Sequence, residues 1–286
     1  MARRSAARAA DRARQTPGNL MLAEWILYGL TRAEPWARTM GYREGAVRLW
    51  SRARRCARAW RPHLERTRAE VIAGAQACAR RRTALVLGSG VLADVPLAEL
   101  SRLFARVVLV DAAHLPQVRW RAKRFANVAC ASVDLTGVAA RLTGSVERPW
   151  PAPGSRYGLD DPTVDYVVSL NLVSQLPLTP CDRIETRLGL GEGAADPYGK
   201  AIVEAHLAHL AAFDARVLAL GDRVRFYLDA AGRTLECEDP LYGAALPPAD
   251  AEWDWDVAPL GEQAPDYAIR NRVFCIREMP SGGRIG

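Results

Sequence analysis

TALVLGSGVLADVP, residues 83–96, is the stretch on which the fold turns. Thr83–Leu87 form a short run, β-branched and apolar on both faces, that stops at Gly88-Ser89-Gly90. Such a run bounded by glycines reads as a strand buried in the middle of a parallel sheet. Without side chains, Gly88 and Gly90 let the backbone approach a ligand closely, and a helix start beyond them offers free N–H groups. Asp94 and Pro96 suit that start as N-cap and first-turn proline, with LAELSRLFA as its apolar face.

Outward from this stretch the chain alternates. VVLVD (107–111) is a second strand, QVRWRAKRFA a helix and NVACASVD a third strand. Residues 143–163, rich in Gly, Pro and Ser, predict a loop. VDYVVSLN, GKAIVEAHLAHLAAF and ARVLALGD then give strand, helix and strand. After residue 222 the alternation stops. LYGAALPPADAEWDWDVAP and RNRVFCIRE read as two late strands, an antiparallel pair at one sheet edge. The expected fold is α/β: a doubly wound, mostly parallel seven-stranded sheet whose last strand is antiparallel, preceded by a helical extension.

Charge marks the extension. Residues 1–82 carry 19 arginines against 6 acids, whereas residues 83–286 carry 20 basic and 26 acidic residues. The expected organisation is a flexible basic tail (1–18), a helical lid (19–82) and a sheet domain (83–286). Leu22, Trp25, Ile26 and Leu30 give one apolar stripe; Val47, Trp50, Ala53, Ala57 and Trp60 give a second, and Pro62 predicts a break or a kink before a third helix. Arg48, Arg52, Arg55 and Arg58 lie on another face of the second helix. That face is either solvated or a phosphate-binding arm. The apolar residues are too many for free-standing helices, which favours a lid packed over the carboxyl ends of the strands, its charge complementing the acidic remainder.

No apolar run reaches membrane-spanning length, and the Arg- and Ala-rich start lacks the apolar core of a secretory signal. Six scattered cysteines, none in a CxxC pair, imply a reduced, cytoplasmic protein without structural zinc. Cys130 and Cys275 fall in strands as small core residues. His206 and His209 share a helical face in EAHLAHL, where packing outweighs a two-imidazole metal site. No metal is expected.

Asp111 ends the second strand, 23 residues after Gly88, where a carboxylate can accept both hydroxyls of a ribose. Gly88-x-Gly90-x-x-Ala93 also satisfies the permissive dinucleotide fingerprint, so an NAD-binding oxidoreductase stays open on this motif alone. Asp134 in ASVDLTG, at the end of the third strand, can accept a hydrogen bond from an adenine amine. The late strand pair, in place of continued alternation, also departs from a dinucleotide fold. Here the chain resembles the class I S-adenosylmethionine-dependent methyltransferases, with their Rossmann-like fold, over roughly residues 80–280. LVLGSGVLADVP resembles their glycine-rich first motif, VVLVD their second, ASVDLTG the adenine-contacting motif, and SLNLVSQLP the segment facing cofactor and acceptor. The resemblance implies S-adenosylmethionine as cofactor, held by Leu87, Gly88, Ser89, Gly90, Asp111, Ala112, Asp134, Leu135 and Asn171. Two departures stand out: Leu85 and Leu87 occupy the strand where the family carries an acid, and Ala93 stands near its third glycine.

Asn171 and Gln175 either orient an acceptor or serve simply as a loop cap and a solvated side chain. His114, three residues past Asp111, is a candidate base, with a loop-bonded rim residue as its simpler role. Trp253 and Trp255 either wall an acceptor pocket or pack the core. The expected function is methyl transfer to a small molecule. Open alternatives are methylation of RNA held by the basic helices, and transfer of another group from, or cyclisation of, the same sulfonium. Nucleic acid is the less favoured partner, and no membrane is implied.

Overall fold

A computed structural model describes residues 22–280, with side chains from Glu24 onward. The basic tail expected over 1–18 and the side chain of Leu22 lie outside the described residues. Among the described residues four helices come first: α1 (Leu22–Leu30), α2 (Pro35–Thr39), α3 (Tyr42–Arg55) and α4 (Ala57–Ala77). The alternating part follows as β1 (Thr83–Leu87), α5 (Leu97–Leu103), β2 (Arg106–Asp111), α6 (Pro116–Ala122), β3 (Val128–Ser132) and β4 (Val164–Leu170). Then come α7 (Leu172–Gln175), α8 (Leu178–Leu188), α9 (Asp196–Ala211), β5 (Arg216–Leu228), β6 (Thr234–Glu238), β7 (Ala251–Ala258) and β8 (Ala268–Ile276).

The sheet order is β3-β2-β1-β4-β5-β8-β7, with β6 paired to the outer half of β5. β1 to β5 are mutually parallel, and β8 runs antiparallel between β5 and β7. This is the expected Rossmann-like doubly wound sheet with an antiparallel last strand. It has eight strands, one more than expected. The extra one exists because β5 runs on past Asp222 to Leu228 and folds back as a hairpin. In RVRFYL the charged and apolar residues alternate, a two-faced pattern unlike the uniformly apolar inner strands.

The strands alternate between two cores. Ala84, Val86, Val107, Leu109, Tyr166 and Val168 face α4, whereas Leu85, Leu87, Val108, Val110 and Val167 face α9. Trp60, Val71 and Ala75 of α4 belong to the first core, so the helical segment and the sheet share one interior. Trp253 and Trp255 complete it: the Trp60 ring meets Trp255 edge-on at 5.1 Å, and His63 stacks on Trp255 at 4.1 Å. Trp253 Nε1 donates to His63 Nδ1 at 3.0 Å, and burial holds His63 near pKa 3, neutral. The two tryptophans therefore fasten α4 to β7, their packing role.

Two helical readings are corrected. The second helix breaks at Cys56, and Pro62 lies inside α4. Pro62 leaves the Arg58 carbonyl without its helical donor, but Arg58, Arg61 and Pro62 are exposed, where water substitutes. In α1, Trp25, Ile26 and Leu30 point outward at 46%, 54% and 63% exposure. Leu27 and Tyr28 pack inward instead, and the Arg43 guanidinium covers the Tyr28 ring at 3.6 Å.

The basic face of α3 is engaged within the molecule. Arg55 binds Glu262 through two nitrogens, and Arg52 donates to Gln263. Glu70 of α4 receives both donors of Arg277. Among the described residues, no helix is long and apolar enough to cross a membrane.

Candidate functional site

The strand order reverses between β1 and β4, and in an open parallel sheet that point opens a crevice at the carboxyl ends of the strands. The 88–96 turn fills one side of it. Gly88 and Gly90 both have positive φ, +78° and +50°. A Cβ on Gly88 would stand 2.6 Å from the Leu170 carbonyl oxygen, so only glycine lets β1 and β4 end this close together. Asp111 closes the turn from β2. Its Oδ2 accepts the Gly90 N–H at 2.7 Å and its Oδ1 the Ala112 N–H at 2.8 Å. Burial raises its pKa.

Asp94 does not cap α5, as its place before Pro96 led one to expect; Pro96 itself occupies the cap position, with no side-chain bond. The Asp94 carboxylate instead reaches across the crevice, where Asn171 Nδ2 donates to its Oδ2 at 3.3 Å. Asn171 ends β4 in the left-handed region at φ 58°, a strained setting for a side chain other than glycine. Among the described residues its buried Oδ1 has no hydrogen-bond partner, nor has the Oγ of Ser89 in the turn itself. Burial lifts Asp94 to about pKa 6, and the charge of Asp111 adds to the rise while Arg68 opposes it.

The other expected residues divide. Leu87 and Leu135 are buried in the α9-side core. Asp134 spends its carboxylate on its own loop: Oδ1 accepts from Thr136 N, Thr136 Oγ1 and Gly137 N, and Oδ2 from Ala139 N at 2.7 Å. It shapes the segment under Leu135 and keeps one acceptor position on Oδ2. Gln175 is exposed at the end of α7. His114 is fully buried, with Nε2 bonded to the Ala131 carbonyl at 3.0 Å, and burial lowers its pKa. Closed off in this way, His114 cannot reach an acceptor, and its candidacy as base is corrected to that of a buried tie between β2 and β3. His206 and His209 are likewise packed, on Ser169 Oγ and the Tyr157 carbonyl.

Two residues of the N-terminal helices lie beside the crevice. Leu49 Cδ2 of α3 would touch a Cβ on Gly90 at 3.4 Å. Tyr42, at the start of α3, bonds the Thr179 side chain and lies within electrostatic reach of Asp111 and Asp134. Burial, the largest influence, raises its pKa. Around it Trp36, Met40, Cys181, Trp150 and Tyr198 form an aromatic-rich cluster. Sequence reading missed Tyr42 and the cluster because their partners come from α2, α8, α9 and the 135–150 loop.

No protein-family model matches the chain, and no curated protein does. Solved structures do. A Burkholderia thailandensis 1,6-didemethyltoxoflavin-N1-methyltransferase, with bound 1,6-didemethyltoxoflavin and S-adenosylhomocysteine, is 16% identical. That match covers 76% of this chain and 77% of the other, at TM-score 0.35. The DhpI-SAH complex is 16% identical over 86% of this chain and 96% of that one, at TM-score 0.28. The DhpI-SAM-HEP complex is 16% identical over 90% and 99%, also at 0.28. The fold assignment rests on the strand order, not on these superpositions.

Proposed function

We propose that this chain is an S-adenosylmethionine-dependent methyltransferase acting on a small organic acceptor in the crevice between β1 and β4. The observation that carries the reading is the convergence of Asp94, Asp111 and Asn171 on the glycine turn. Two half-buried carboxylates sit there with no ion pair among the described residues, together with two orphaned polar atoms. A partly desolvated anionic pair of this kind is costly unless a cation or hydroxyl donors complete it. A sulfonium nucleoside with an ammonium group and a ribose diol has that donor set. The fit also answers the departure in β1: with Leu85 and Leu87 where an acid is usual, Asp94 supplies a carboxylate from the other side of the glycines.

When bound, the cofactor supplies a methyl group already activated by positive sulfur. The chain's own part is binding, alignment and exclusion of water. Asp111 fixes the turn through Gly90 and Ala112 and offers its remaining lone pairs to hydroxyls. Leu135 gives an apolar wall for the base. Asp94 and Asn171 hold the cationic end, and Asn171 is positioned by its own strained backbone. Leu49 and Tyr42 exclude water from above, and the cluster of Trp36, Trp150 and Tyr198 offers flat apolar faces to an acceptor. Asn171 and Gln175 orient that acceptor at the rim. No step needs His114.

Thermal denaturation with S-adenosylmethionine, S-adenosylhomocysteine and NADH tests the reading. A rise with the two sulfur nucleosides and none with NADH supports it; a rise with NADH alone replaces it with an oxidoreductase. Mass analysis of the consumed sulfonium separates methyl transfer from aminocarboxypropyl transfer and cyclisation.

A further inference from the structure

A second concavity, of about 610 Å3, lies apart from the crevice between α4, α5, α6 and the 92–96 segment. Its lining is mixed, more polar than apolar, with Ile72, Leu92, Val95 and Phe125 among the apolar members. Its charged groups come from three separate elements: Arg68 of α4, Arg121 of α6 and Arg124 just beyond. Glu99 is the one acid lining it, and Glu99 is turned to Arg102 at 3.8 Å. Among the described residues none of the three arginines makes an ion pair with a carboxylate. Arg68 donates to the Ala93 carbonyl, and Arg124 lies over the Trp120 ring at 5.4 Å.

From this geometry we infer an organic-oxyanion site: a phosphate monoester or carboxylate head held by Arg68, Arg121 and Arg124, with its apolar body on Ile72 and Phe125. Guanidinium forks match either head with paired hydrogen bonds, and ligand sites combine apolar walls with a few converging polar groups. Burial lowers the pKa of Arg121, and the like charges of Arg68 and Arg124 lower it further. Three guanidiniums gathered this way repel one another in the free protein, and an oxyanion removes that repulsion. The inference is independent of the cofactor reading. The two sites share one wall, since Leu92 and Val95 flank the Asp94 that faces the crevice.

Calorimetric titration of the full chain with phenyl phosphate, benzoate and inorganic phosphate tests it. Phenyl phosphate or benzoate should bind saturably and more tightly than inorganic phosphate, and the preferred one identifies the head. Arg121→Met and Arg124→Met should each weaken that binding about tenfold or more. The same variants should melt at or above the wild-type temperature without ligand, because repulsion is relieved. Absence of saturable binding by both aromatic probes overturns the site, as does binding unchanged in both variants. Variants that melt lower make the arginines structural and overturn it too. Binding of a short single-stranded RNA that is lost in Arg121→Met, with neither aromatic probe bound, reassigns the arginines to a nucleic-acid surface.

Discussion

Two clusters of partly buried charge, one on the outer half of β5 and one at the glycine turn after β1, are built on opposite plans. At the outer half of β5, Arg225 pairs with Glu238 at 3.3 Å, Tyr227 donates to the same carboxylate at 3.0 Å, and Asn271 Oδ1 accepts from Arg225. The neighbouring acids raise the Arg225 pKa against the opposing effect of burial. Each charge there has its counterpart within the chain. At the glycine turn, Asp94 and Asp111 bring two negative charges to one crevice; their hydrogen bonds come from amide N–H groups, and Arg68 and His114 act on them only electrostatically, without an ion pair among the described residues. The complete cluster holds a hairpin in place. The incomplete one has acceptor capacity left for something that arrives.

The sharpest way to break this contrast is to make the complete cluster incomplete. Glu238→Ala should strand Arg225 and destabilise the fold by about 3–5 kcal/mol. Affinity for a sulfur nucleoside, measured at a temperature where the variant is folded, should not change. A large loss of affinity would mean that the hairpin belongs to the site.

Next in size is Asp111→Ala. Losing a carboxylate that accepts two ribose hydroxyls should weaken S-adenosylhomocysteine binding by about 2–4 kcal/mol in calorimetry. Unchanged affinity would place the ribose elsewhere.

Asp94 gives a smaller effect with a definite sign. Its folded pKa, about 6, lies above the unfolded value of 3.8. The folded state therefore holds this proton more tightly. Ionisation subtracts stability progressively as pH rises from about 4 to 6, and the loss is complete above 6. Denaturant unfolding should show that Asp94→Asn is more stable than wild type at pH 7 by on the order of 1–2 kcal/mol, with the gap closing by pH 4. A variant less stable at pH 7 would show that the carboxylate is satisfied in the free protein. Smallest of all is Arg55→Ala. The Arg55–Glu262 pair is exposed on its arginine side, so its loss should cost under about 1 kcal/mol in the same unfolding assay.

The contrast also explains what was legible in the sequence. β1, β2 and the turn could be read because an uninterrupted apolar run ending in glycine has few other structural uses, and Asp111 follows from the end of β2. The outer half of β5 was not legible, because Arg223 and Arg225 interrupt the apolar pattern; Arg225 is tolerated there only through Glu238 and Asn271, which come from β6 and β8. Asp94 was readable as an acid before a proline, and that local pattern belongs to helix caps. What redirects it is Asn171, 77 residues away in sequence. The α1 stripe misled for a related reason: nine residues of helical periodicity define two candidate faces, and Arg43 and the core chose the one with Leu27 and Tyr28.

The central claim is that the acidic crevice is completed by a cationic nucleoside, and Asp94 permits a direct test. S-adenosylmethionine binding to wild type and to Asp94→Asn is measured by calorimetry at pH 5 and pH 7.5. A cation held by Asp94 requires its ionised form. Wild-type affinity should therefore rise about tenfold between the two pH values, while the variant binds weakly and equally at both. Equal wild-type affinity at pH 5 and 7.5, matched by Asp94→Asn, would contradict the account.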